Sequence, residues 1–69
     1  MKLANAIKKL EKNGYEVSSE LGSYIAQKGM VTISFFENQL GSGECGRFTY
    51  EHEKSCSPTY GLSLKSAIG

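Results

Sequence analysis

Residues 23–37 read Ser23-Tyr24-Ile25-Ala26-Gln27-Lys28-Gly29-Met30-Val31-Thr32-Ile33-Ser34-Phe35-Phe36-Glu37, and this stretch decides the fold. Two runs rich in β-branched and aromatic residues flank Lys28-Gly29, where glycine supplies the positive φ that a tight hairpin needs. Side chains alternate between the faces of a strand, so the hairpin register fixes which of them are buried. A two-residue Lys28-Gly29 turn predicts Gln27 opposite Met30, Ala26 opposite Val31 and Tyr24 opposite Ile33. One face then carries Tyr24, Ala26, Val31, Ile33 and Phe35 and is the expected core. The other carries Ile25, Met30 and Phe36 among Gln27, Thr32 and Ser34. A three-residue turn would instead turn Ile25 inward.

What covers the apolar face is found upstream. Leu3, Ala6, Ile7 and Leu10 recur at helical spacing, with Lys2, Asn5, Lys8, Lys9, Glu11 and Lys12 on the opposite side. Asn13-Gly14 should close this helix, because glycine adopts the left-handed conformation required just past a helix end, and Tyr15 can fold back on the last turn. Lysines late in the helix suit its negative pole. Tyr15 and Val17 alternate with Glu16 and Ser18 and allow a short extended segment, which the pattern alone leaves free to join the sheet or not, before a polar turn over residues 18–22.

Downstream, Gln39 to Glu44 reads as a flexible connection and Cys45 to His52 as a strand, with Phe48 and Tyr50 on one face and Arg47 and Thr49 on the other. Glu53 to Gly61, holding Ser55, Ser57 and the only proline, Pro58, reads as a loop. Ser63 is placed to N-cap a last helical turn with Leu64, Ala67 and Ile68 on one side. The expected architecture is a single α+β domain over residues 1–69: an N-terminal amphipathic helix on a three-stranded antiparallel meander, with a short C-terminal helical turn.

Size and charge narrow the function classes. A chain of 69 residues has room for one core, and one so small supplies only ~3–5 kcal/mol of stability, which favours a homodimer or an obligate protein partner. Eight cations, seven of them scattered lysines, against seven acids give a net charge of +1, without the clustered basic face of a nucleic-acid binder. No apolar run approaches the ~20 residues of a membrane span. The charged first dozen residues do not resemble a secretory leader, so a cytoplasmic location with reduced Cys45 and Cys56 is expected.

Four patterns contain residue types that can carry chemistry. Gly41-Ser42-Gly43-Glu44-Cys45-Gly46 satisfies G-x-G-x-x-G, but it precedes a strand rather than a helix and lacks the βαβ frame of a dinucleotide site. Cys45, His52 and Cys56 form C-x6-H-x3-C, which offers three ligands where zinc wants four and contains no C-x2-C knuckle. His52 lacks a positioned partner for general acid–base work, and the cysteines lack an orienting group and an oxyanion site. Gly46-Arg47-Phe48-Thr49-Tyr50 is faintly like the aromatic strand of RNA-recognition modules, but its rings fall on the core side. The expectation is therefore no catalytic residues, no metal and no cofactor.

The outer sheet face remains. Aromatic residues and arginine are common interface anchors, and Ile25, Met30, Phe36, Arg47 and Thr49 are the expected partner-binding residues. The order of "LANAIKKLEKNGYEV", strands and "YGLSLKSAIG" resembles small phage- and prophage-encoded α+β proteins, a group that includes inhibitors of host defence such as anti-CRISPR proteins. That resemblance implies a non-enzymatic binder acting by surface occlusion in the host cytoplasm. The alternatives are a nucleic-acid binder using the same sheet face and a homodimeric accessory protein.

Overall fold

A computed structural model describes residues 1–39 and 41–68. Leu40, expected in a connecting segment, and Gly69 lie outside the described residues. The elements run α1 (Leu3–Lys12), β1 (Glu16–Glu20), β2 (Ser23–Lys28), β3 (Val31–Glu37), β4 (Cys45–His52), β5 (Thr59–Leu62) and α2 (Leu64–Ile68). The strands form one antiparallel sheet in the order β1-β2-β3-β4-β5. The expected α+β architecture and meander are present, with five strands in place of three. The segment after Tyr15 joins the sheet as β1, and the end of the presumed loop over residues 53–61 pairs with β4 as β5.

Helix α1 ends as its sequence requires. The Gly14 N–H donates to the Glu11 carbonyl at 3.0 Å and the Tyr15 N–H to the Leu10 carbonyl at 3.0 Å, the paired bonds of a Schellman motif, with Gly14 at φ +90°. Leu10 and Tyr15, the apolar pair that accompanies this motif, are both buried. The Lys28 ammonium donates to the Asn13 carbonyl at 2.8 Å and lies 5.6 Å from the centre of the Tyr15 ring, which ties the helix end to β2. At the other end of the chain the Ser63 hydroxyl accepts from the Ser66 N–H at 3.2 Å, so Ser63 caps α2 as its position suggested.

The central hairpin turns one position later than expected. Lys28 pairs with Val31, Gln27 with Thr32, Ala26 with Ile33 and Tyr24 with Phe35, so the two-residue loop is Gly29-Met30 rather than Lys28-Gly29. Gly29 has φ +59° and Met30 is not among the positive-φ residues, which suits a type II′ turn with glycine at its first central position. Every pairing moves by two residues, so no side chain changes face. Tyr24, Ala26, Val31, Ile33 and Phe35 all point to the helix side, with Ala26, Ile33 and Phe35 fully buried.

Register extends the same division across the sheet. Tyr24, Phe35, Phe48 and Leu62 lie opposite one another in sequence across four strands, with Tyr24 stacked on Phe35 at 5.3 Å and Phe35 tilted against Phe48 at 4.9 Å between ring centres. Val17, Ala26, Ile33, Tyr50 and Thr59 form the next row. These rows meet Ala6 and Leu10 of α1 and Leu64 and Ala67 of α2 in a single core. Both helices therefore lie on one face of the sheet, and the other face is left bare. No helix of the described residues is long and apolar enough to cross a membrane.

Candidate functional site

The bare face is built from alternate residues of the five strands. By register it carries Glu16, Ser18 and Glu20 on β1, Ser23, Ile25 and Gln27 on β2, and Thr32, Ser34 and Phe36 on β3. Arg47, Thr49 and Glu51 continue it on β4. On β5, Thr59 and Leu62 face the core rows, so Tyr60 turns outward and Gly61, at φ +70°, takes up a bulge. The Arg47 guanidinium donates to the Gly61 carbonyl at 3.4 Å and so points toward β5.

Of the five expected contact residues, four share the middle and one end of this face. Ile25 lies opposite Ser34, which lies opposite Thr49. Phe36 is the diagonal neighbour of Ile25, within reach of a long side chain, and Arg47 stands on the adjacent strand. Met30 does not join them. It sits in the turn before β3, six residues and so about 20 Å from Phe36 at the usual strand rise, where it lines a shallow depression of about 280 Å³ with Gln27, Gly29, Thr32, Glu51 and Glu53. Ile25, Met30 and Phe36 are 46, 47 and 63 % exposed.

Besides Met1 at the chain start, two further exposed apolar residues lie outside the expected set. Leu21 is 92 % exposed and Tyr60 73 %. Leu21 belongs to a turn whose neighbours are polar: Leu21-Gly22 is the two-residue loop between β1 and β2, with φ of +44° and +81°. Positive φ at both central positions defines a type I′ turn, which prefers Asn-Gly or Gly-Gly. Leucine there is strained. Tyr60 falls in a segment whose composition reads as a loop, and only the strand pairing reveals its face.

The candidate chemical groups are dispersed or engaged. Cys45 is buried and Cys56 exposed, and the two are not bridged. Burial pushes the Cys45 thiol up from the ordinary 9.0, against the pull of the Met1 ammonium, which favours the unreactive thiol. The His52 Nδ1 accepts from the Lys54 N–H at 3.1 Å, in a local turn. No group of three His, Cys, Asp or Glu residues suited to a metal ion occurs among the described residues. In the glycine-rich segment the Gly43 N–H, one of the amides a phosphate loop would offer, donates to Glu37 Oε2 at 3.0 Å. The Gly43 carbonyl accepts from the Leu3 N–H at 2.8 Å, so the segment fastens α1 to β4.

On the opposite side of the molecule, an open groove of about 440 Å³ along α1 is lined by Asn5, Lys8, Lys9, Lys12 and Asn13. It brings together cations and amides, with no nucleophile or base beside them. No protein family matches this chain, and neither the curated proteins nor the solved structures compared with it gave a match.

Proposed function

We propose that this chain is a non-enzymatic protein-binding module that works by covering part of its partner with the outer face of the sheet. One observation carries the reading: both helices pack on a single face, and the uncovered face displays Ile25, Phe36 and Tyr60 around Arg47 and Thr49. Antiparallel sheets tolerate one solvated face, but that face is then expected to be polar, and these residues break the pattern. Aromatic rings beside an arginine are the composition of interface anchors.

The nucleic-acid alternative is weakened by the same face. Glu16, Glu20 and Glu51 outnumber its single cation, Arg47, and would repel phosphates. Phe48, the ring that an RNA-recognition strand would present, is fully buried. The resemblance to phage inhibitors extends the proposal to a host defence complex as partner, and that extension rests on the resemblance alone.

The test is affinity capture from host lysate with the wild-type domain and a Phe36→Ala, Arg47→Glu variant, read by quantitative mass spectrometry and repeated with the purified partner. Loss of capture by a variant that keeps the wild-type circular dichroism spectrum is the expected result. Equal binding of the purified partner by both proteins overturns the assignment.

A further inference from the structure

The two edges of the sheet differ in a way that selects a partner. Edge β5 is four residues long, follows Pro58, and is broken by the bulge at Gly61, the usual devices against strand addition. Edge β1 has neither a proline nor a bulge, and its only guard is a glutamate at each end. Its five residues pair with β2 in unbroken register, all but Val17 are exposed, and no backbone hydrogen bond among the described residues reaches Glu16 to Glu20 from any element other than β2. A regular edge of this kind offers a row of free N–H and C=O groups.

A second copy is the first occupant to consider, and the side chains oppose it. Antiparallel pairing of β1 with itself uses all five residues only when Ser18 faces Ser18 of the other copy. That register sets Glu16 directly against Glu20 at both ends, where opposed side chains are only ~5 Å apart and like charges repel. The same spacing accepts a strand bearing cations four residues apart. We infer that the free edge of β1 is a β-augmentation site for an extended basic segment of a partner protein, with lysine or arginine at positions i and i+4 meeting Glu20 and Glu16. The backbone supplies the pairing and the two carboxylates choose the partner. The inference shares with the proposed function only the premise that the partner is a protein.

Two measurements test it. In analytical ultracentrifugation the wild type should stay monomeric, whereas Glu20→Lys converts both repulsive contacts of the self-pair into attractive ones and should tighten dimerisation about ten-fold or more. The Glu16→Lys, Glu20→Lys double variant restores repulsion and should be monomeric again. A folded Glu20→Lys protein that associates no more than the wild type would overturn the inference, as would wild-type dimers joined through β1. In NMR titrations, a capped peptide centred on Lys-Val-Thr-Val-Lys should shift the amides of Glu16 to Glu20 in a salt-sensitive manner, and the double variant should respond instead to the Glu-Val-Thr-Val-Glu peptide. Equal response to both peptides, no response, or shifts confined to other strands would refute it. Phe36→Ala should leave the peptide response intact, so failure at the edge and failure at the sheet face are told apart.

Discussion

Replacing Leu21 with asparagine should stabilise the domain. Leucine at φ +44° sits in the left-handed region, which costs an ordinary L-residue about 1–2 kcal/mol. Asparagine tolerates that region and is the preferred partner of glycine in a type I′ turn. Against this gain stands the burial lost, and at 92 % exposure Leu21 buries less than a tenth of its surface. Full burial of a leucine contributes about 1.5–3 kcal/mol, so the loss is ~0.2 kcal/mol. Asparagine keeps part of the left-handed cost, so the net effect is about 0.5–1 kcal/mol of added stability, which for a domain of this size raises the melting temperature by roughly 3–6 °C. Thermal and urea denaturation followed by circular dichroism measure it directly. Leu21→Val is the counter-test, because β-branching aggravates the strain and should lower the midpoint. A Leu21→Asn protein no more stable than the wild type, or a Leu21→Val protein that is, would refute the type I′ assignment.

The adjacent pair Phe35 and Phe36 should behave oppositely: Phe35→Ala removes about 3–5 kcal/mol, enough to unfold a domain this small, while Phe36→Ala changes stability by less than ~0.5 kcal/mol, and comparable losses in urea titrations would void the division of faces. In the native protein an Ellman titration should find Cys56 reacting at once and Cys45 only on unfolding; prompt reaction of both would show that the α1–β4 junction is open. Burial raises the Cys45 thiol above 9.0, and burial, followed by the neighbouring Tyr50, raises the Tyr15 hydroxyl above 10.0. Both acids hold their protons more tightly folded than unfolded, so their contribution is fully present below about pH 9 and is lost as pH rises through the raised values, at up to ~1.4 kcal/mol per pH unit for each group. Cys45→Ala should delay the onset of that decline in urea midpoints toward pH ~10, and an unaltered profile would show that the thiol is not its source.

The residues differ in how openly they announce their place. Helix α1 and its end were legible because four apolar residues at helical spacing and an Asn-Gly pair carry the information in side-chain types. The two faces of β2, β3 and β4 were legible for the same reason, and a turn displaced by one residue did no harm because it moved each pairing by two. What the displacement did alter was Met30, which leaves the paired position opposite Gln27 and becomes part of the hairpin turn. Strands β1 and β5 were obscure because edge strands are held by backbone hydrogen bonds that side-chain alphabets do not record. Only Val17 of β1 packs toward the core, and β5 contains a glycine bulge after a proline. Leu21 was hidden by the same kind of ambiguity, since a leucine among serines and glutamates reads as incidental until its φ and exposure are known.

The central claim is that a protein partner covers the sheet face and leaves the helix face in solvent. NMR cross-saturation from an unlabelled partner onto the labelled domain tests it most directly. The account predicts signal loss at Ile25, Phe36 and Thr49 with Lys8 and Lys12 of α1 unaffected, and saturation mapped to α1 with the sheet face untouched would contradict it.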